Sequence, residues 1–576
     1  MNNLIHTLPT IGAAPAGPKS MNILRSLQNL PLYVWIAILV LLPNLLLVGV
    51  SLIQSKLGVI TYTPTLENYQ RALSSSGVWV LLGRTLATAG AATLIACLIA
   101  YPMAYYTSRV LRRGRMIAVL LVIIPLWTSL LMRIFAWRLI LGESGVLNSL
   151  LVWSGILAEP TSALLYNRFT VLLTFVYVSI PFIFISVYSA LERIPHNLME
   201  AATDCGASRF RAFRTVLWPL SKPGLAIGAS LSFLMAVGDY VTPAMVGGMD
   251  GTMLGTVIAS QFGSVGNWSY GATLAIILLV AVIALLTVVM RMAKVQGVLT
   301  GESGELPAAE PAHGLLQKAR RAAALTAFGL PYLFLYAPLV VIALLSFNTS
   351  AAQSFPMEGW SWRWYAEMAG NEALISALVR SLVTGAWVLL VSVAGGTVFA
   401  MLLAFGHIRC AQTCERLLLV PLAIPGVVLG LTLVLTFQVL NIPAGLLRVV
   451  LGHCAFVMPV ILTIVLARLR RLDPALNEAS TDLGATPLQT FWHVSLPLMR
   501  SAIIGGALLG FTLSVDEVVV TVFLAGSQPT LPVWVWNQMR FGFTPSVNAI
   551  FVCISVATIG LVCISRAIMR AGDKKA

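Results

Sequence analysis

Charge is what this sequence lacks most. Only 10% of its 576 residues are Asp, Glu, Lys or Arg, against about a quarter in an ordinary soluble domain. With 58% hydrophobic residues and a mean hydropathy of +0.89, the chain is excluded from the water-soluble globular class. Acidic residues are scarcer than basic ones, 21 against 36, which gives a formal charge of +15. In a membrane chain such an excess belongs to the cytoplasmic loops, so no nucleic-acid partner is expected. Lysine is rare as well. None of Lys19, Lys56, Lys222, Lys294, Lys318, Lys574 and Lys575 follows a Gly, so the Gly-Lys-Ser/Thr of a nucleotide-binding loop is missing. Seven Cys are scattered, mostly within apolar runs, which suits buried thiols and excludes a disulfide framework. His407, Cys410 and Cys414 share one short basic loop, but three ligands fall short of a structural zinc set, and no metal is expected. The first 20 residues lack the basic start and apolar core of a cleavable signal and read as a tail.

What the chain has is long apolar runs. A membrane span needs about 20 mostly apolar residues, and twelve runs qualify: 32 to 53, 81 to 107, 117 to 139, 169 to 190, 224 to 246 and 270 to 292, then 326 to 347, 379 to 405, 416 to 438, 446 to 468, 500 to 525 and 546 to 568. The expected fold is therefore all-α integral membrane, with twelve transmembrane helices. Basic residues set the orientation. Arg109, Arg112, Arg113 and Arg115 follow the second span, and Arg193, Arg209, Arg211, Arg214 and Lys222 follow the fourth, whereas 247–269 has no Lys or Arg. Both termini are expected on the cytoplasmic side of a multi-pass protein. The expected parts are a tail (1–31), a first six-span half (32–292, with a loop at 192–222), a polar linker (293–323) and a second half (324–576, with a loop at 469–499).

Those two loops contain a repeat. Glu200-Ala201-Ala202-Thr-Asp-Cys-Gly206 recurs as Glu478-Ala479-Ser480-Thr-Asp-Leu-Gly484, and each copy reaches a Pro, Pro219 or Pro497, thirteen residues after the Gly. Subtraction gives 278 for the Glu, Gly and Pro pairs alike. Earlier in each half the offset is 296, pairing Arg84 with Arg380 and Pro125 with Pro421, so 18 extra residues fall between Pro125 and Pro181. The long stretch 140–168, set against the short 439–445, accounts for them. An even number of spans per half makes the two repeats parallel, with a pathway expected between them. Within each loop the residues predict two short helices joined at a Gly. Ser208 or Thr486 caps the second, Pro195 or Pro474 opens the first, and Gly206 or Gly484 supplies a left-handed stop. Small residues at 201–202 and 479–480 leave a low surface that another protein can approach.

Glu-Ala-Ala, three residues, Gly, nine residues, an aliphatic residue (Val216 or Val494), one residue and Leu/Trp-Pro resembles the signature loop of permease subunits in binding-protein-dependent ABC importers. Ser480 and Trp218 are mild departures. Pro125-Leu-Trp-Thr-Ser, Arg133-Ile-Phe-Ala-Trp137, Gly142-Glu-Ser-Gly-Val-Leu-Asn148 and Gly238-Asp-Tyr-Val-Thr-Pro243 resemble the first permease of spermidine/putrescine importers. Ser346-Phe-Asn348, Trp362-Arg-Trp-Tyr365, Ser514-Val-Asp-Glu-Val518 and Pro545-Ser-Val-Asn548 resemble the second, so the chain looks like a fusion of both. The resemblance implies a type I ABC importer permease fold in a bacterial inner membrane, and loops that dock two copies of an ABC ATPase subunit. It also implies a separate solute-binding protein, ATP and Mg held on the ATPase with no cofactor in this chain, and alternating access. Related systems carry opines, aminophosphonates, thiamine or ferric iron. A secondary transporter with two six-span halves is the competing class, and the duplicated loop argues against it. No enzyme is expected, because no residue cluster has catalytic spacing.

Carboxylates within membrane spans are costly and usually functional. Asp239 lies in the fifth expected span and Asp516 and Glu517 in the eleventh, and the 278 offset pairs Asp239 with Glu517. From Pro223 to Asp239 is 16 residues, about 24 Å at a helical rise of 1.5 Å per residue, which puts the acids past the middle of the span. With Tyr240 and Trp127 nearby they would suit a cation. They would equally serve by pairing with Arg133, Arg84 or Arg380. Trp360, Trp362, Trp364 and Tyr365 suit an aromatic belt at the interface or a docking surface for the binding protein.

Overall fold

The computed structural model describes residues 29–560 apart from 57–58, 112–113, 196, 294–314, 407, 409, 474, 542–544 and 558–559. Residues 294–314 of the expected linker and both termini therefore lie outside the described residues, and the end of that linker is already helical from Leu315. Apart from one antiparallel hairpin, β1 (Gln54–Lys56) with β2 (Val59–Thr61), the named elements are helical. Among the described residues nine helices are long and apolar enough to cross a membrane, or eleven if two sharply bent pairs each count as one span.

The helices used below are, in chain order, α1 (Asn29–Ser51), α2 (Ser76–Val110), α3 (Arg115–Ile123), α4 (Leu130–Leu141), α5 (Arg168–Glu192), α6 (Asn197–Asp204), α7 (Trp218–Gly238), α8 (Val241–Val246) and α9 (Trp268–Ala293). The second half contributes α10 (Phe328–Leu345), α11 (Glu372–Phe405), α12 (Ala411–Ala423), α13 (Gly426–Val439), α14 (Leu446–Leu469), α15 (Ala475–Asp482), α16 (Leu496–Asp516), α17 (Thr521–Leu524) and α18 (Leu531–Phe541). A further apolar helix covers Ser546–Ala557.

Each half is built on one tight parallel pair, α2 with α5 and α11 with α14. Ala89, Ala92, Ala96 and Ala100, all fully buried, form the small-residue stripe that lets α2 approach α5 closely. In the second half Gly396 has this role, since a Cβ there would meet the backbone of Met458 and Leu462 at 3.3 Å.

Four of the expected spans are interrupted. The third and ninth bend by 88° and 109°. Pro125 lies in a 3-10 turn followed by extended Thr128 and Ser129, and Pro425 forces Ile424 out of the helical region. The fifth and eleventh, read as continuous in the sequence, stop at Gly238 and Asp516, and short helices resume at Val241 and Thr521.

The first span of each half also crosses to the other half. Leu32, Ile36 and Val40 of α1 are buried with Phe399, Leu403 and Leu418. Reciprocally, α10 lies on the first half, where Tyr177 donates to the Leu335 carbonyl (3.0 Å), Tyr332 to Ala118 (3.0 Å) and Tyr336 to Leu121 (2.9 Å). The extra residues of 140–168 join this bracing, since Ser149 donates to the Phe355 carbonyl (2.7 Å) and Phe355 N–H to Ser144 (2.9 Å).

Candidate functional site

The two repeated loops fold alike, residue for residue. Helices α6 and α15 end at Gly206 and Gly484, both with φ +82°. In each copy the Gly N–H bonds the Thr carbonyl three residues back, and the following N–H bonds Ala202 or Ser480. Ser208 accepts from Arg211 N–H, and Thr486 from Gln489 N–H with Gln489 returning a bond to Thr486 N–H, so the second helix of each loop is capped as its sequence predicts. A single π-turn follows, Phe213–Leu217 or Phe491–Ser495, and then α7 or α16, each again 278 residues apart. Ser480, the departure from the pattern, bonds the Thr490 hydroxyl at 2.9 Å. The corresponding pair in the first copy is Ala202 and Ala212, so both positions change together.

Glu200 and Ala201, like Glu478 and Ala479, are exposed. Around them stand large apolar side chains that the sequence reading passed over: Phe210 (74% exposed) and its 278-counterpart Leu488 (67%), with Leu483 at 89%. Applying the offset to the whole loop would have found the first two.

At the other functional region, α7 and α16 break where the carboxylates stand. Asp239 accepts from Val241 N–H (2.7 Å), Thr242 N–H (3.0 Å) and the Thr242 hydroxyl, and so caps α8. Glu517 accepts from Val520 N–H at 2.9 Å; Val520 is the counterpart of Thr242, so both acids bond the N–H three residues ahead. A carboxylate removed from water needs such donors. Asp516 reaches across to the first half. Both its oxygens accept from Leu130 N–H (3.1 Å each), capping α4, with Arg133 3.8 Å away. Arg84 and Arg380, the other proposed partners, bond the Asp250 and Pro529 carbonyls instead. Thr521 and Ser514, flanking the second break, are held by the two ring nitrogens of buried His453 at 2.7 and 2.9 Å.

Positions 238 and 516 are counterparts by the 278 offset, as are 130 and 426 by the 296 offset. Asp516 meets Leu130, and Gly238 meets Gly426 so closely that a Cβ on Gly238 would lie 2.5 Å from the Gly426 nitrogen. The same contact between the halves is thus made twice, once by a carboxylate and once by backbone alone.

This contact separates two cavities. One of about 240 Å³ lies on the loop side, between α5 and α7 of the first half and 421–429 of the second, and its walls include Phe175, Ser179, Met235, Asp239, Phe456 and Glu517. The other, about 600 Å³, opens on the far side among Arg138, Tyr166, Ala244, Phe523 and Trp536. Asp239 and Glu517 are therefore brought to one cavity, whereas Tyr240 belongs to the other, its ring against Phe523 (5.6 Å) and Trp536 (6.4 Å). The Trp127 side chain lies outside the described residues, as does His407. Trp364 is buried and donates to Asn348 (2.5 Å), while Trp360 and Trp362 are exposed around Phe347.

Comparison with known proteins finds the model for "Binding-protein-dependent transport system inner membrane component" matching twice, over residues 92–296 and 396–576. The putrescine transport system permease protein PotI of Escherichia coli K12 is 37% identical over 241 residues, 40% of this chain and 85% of that protein. The spermidine/putrescine transport system permease protein PotB of Haemophilus influenzae is 35% identical over 267 residues, 46% of this chain and 92% of that protein. A solved bacterial ABC transporter that imports the acidic polysaccharide alginate aligns to 48% of this chain and 96% of its own, at 16% identity and a TM-score of 0.40.

Proposed function

The chain belongs to the family of binding-protein-dependent transport system inner membrane components, with both permease units on one polypeptide, and from that premise we propose that it forms the whole membrane pathway of an ATP-driven importer. Its two loops dock two ATPase subunits on the cytoplasmic side, a separate binding protein delivers solute on the far side, and the two six-span halves alternate access to the cavity between them. The chain itself does no chemistry; ATP and Mg belong to the ATPase. Small polyamine-like cations are the proposed cargo. Relatives named for putrescine and spermidine transport support this, as does the pair of acids, Asp239 and Glu517, in a cavity otherwise lined mostly by apolar and aromatic groups.

One observation carries the docking reading. Two loops with the same left-handed Gly, carrying Arg209 and Arg211 in one and Arg470 and Arg471 in the other, expose the same small Glu-Ala surface and matched large apolar side chains, Phe210 and Leu488. Such groups at symmetric places call for a protein partner. A β-branched residue at φ +82° is strongly disfavoured. Gly206→Val with Gly484→Val is therefore expected to abolish binding-protein-stimulated ATP hydrolysis in the assembled complex while the chain still inserts and is purified in normal amount. Unchanged stimulation would refute the role of the loops.

A further inference from the structure

Among the described residues each half carries an ion pair beside its loop, at related positions and with the charges exchanged. In the first half Arg115, which opens α3, meets Glu192, which closes α5, at 2.5 Å. In the second, Arg470, just past α14, holds Glu415 of α12 through two bonds of 3.0 and 2.7 Å. Glu192 and Arg470 occupy one register position, since 470 − 192 = 278. Their partners stand 125 − 115 = 10 and 421 − 415 = 6 residues before the paired prolines, one helical turn apart on equivalent helices. The tie is the same although neither end keeps its charge.

Both pairs are partly exposed, and an exposed pair adds little to stability. What they connect is more telling. Glu192 and Arg470 each stand five residues before the loop helix, α6 at Asn197 or α15 at Ala475. From Arg115 and Glu415 the chain runs through the Pro125 or Pro421 helix to the bend before Leu130 or Gly426, the two residues that meet Asp516 and Gly238 between the cavities. The first tie is braced further: Tyr188 donates to Glu192 (3.1 Å), and Arg109 donates to the Leu191 and Ile194 carbonyls at 2.6 and 2.7 Å.

We propose that Arg115–Glu192 and Glu415–Arg470 are struts that carry the displacement of each docking loop to the bent helix lining the cavity. They are positioning residues, standing neither in the lining of the cavity nor on a loop helix, and reversed polarity serves equally because only the tie is used. The proposal rests on the importer reading above.

The test uses the chain assembled with its ATPase in lipid nanodiscs, with a Met235→Cys reporter in the cavity of an otherwise cysteine-free chain. Maleimide labelling is compared between the nucleotide-free and ATP–vanadate-trapped states, so no solute is needed. Arg115→Glu or Glu192→Arg alone should keep ATP hydrolysis but lose the nucleotide-dependent change in labelling by about fivefold or more, the lower end of allosteric coupling. The double exchange Arg115→Glu with Glu192→Arg, which copies the polarity of the second half, should restore it. Glu192→Gln and Arg470→Gln serve where a reversal fails to assemble, and should show the same loss. Full labelling change in the single variants, no restoration by the exchange, or parallel loss of hydrolysis and labelling would each overturn the proposal. If the unaltered chain binds no ATPase or shows no nucleotide-dependent labelling, the importer reading itself falls, and this inference with it.

Discussion

The two carboxylates in the loop-side cavity differ in how much of each is already used. Asp239 accepts three bonds and is buried, so its role in holding α8 consumes most of its capacity. Glu517, one methylene longer, accepts from backbone N–H alone, with Val520 N–H on Oε1 at 2.9 Å, on the wall of the same cavity. Removing a buried acceptor of several donors costs about 1–3 kcal/mol. Asp239→Ala is therefore expected to reduce the amount of assembled protein. By contrast, Glu517→Gln should leave that amount unchanged and cut [14C]putrescine uptake by about tenfold, one cationic contact at about 1.4 kcal/mol. Equal uptake by the Gln variant at matched expression would show that the charge is not used. The sequence paired these residues by the 278 offset but could not rank them, because the ranking depends on which N–H groups the breaks leave free.

Among the elements, the interrupted helices matter most. Continuous apolar periodicity over 224–246 and 500–525 reads as two straight spans, yet both stop at a carboxylate that bonds the N–H three residues ahead. Propensity alone does not signal such a stop; it pays only where a neighbouring helix end sits close, here Gly426 and Leu130 of the other half. Gly238→Ala would put a methyl group 2.5 Å from the Gly426 nitrogen and 3.0 Å from Pro425 Cα. The halves must then separate at the contact between the cavities, and solute-independent ATP hydrolysis in nanodiscs is expected to rise several-fold. Hydrolysis that still requires loaded binding protein would show that the contact yields without consequence. The loops are the opposite case. Pro, Ser/Thr and Gly at fixed spacing act locally, so their two-helix form and the Gly at φ +82° were legible from residues alone.

For the whole molecule, the first spans exchange between halves, α1 onto the second and α10 onto the first. The packing of the two halves is therefore interlocked through their first spans. Expressed together as separate chains, residues 1–305 and 306–576 should still assemble, since each supplies a helix that the other buries, and neither should be stable alone. Co-purification of the two chains in detergent checks this; failure to associate would mean that the linker is needed for assembly.

By itself the sequence determined membrane residence, the repeat and the two-helix form of the loops, because apolar length, charge bias and local capping act within a few turns of chain. The tertiary structure decided which half each first span joins, where the fifth and eleventh helices break, and which acids share a cavity. Those outcomes depend on close approach between residues hundreds of positions apart, such as Asp516 at Leu130 and Gly238 at Gly426. No local pattern encodes that approach.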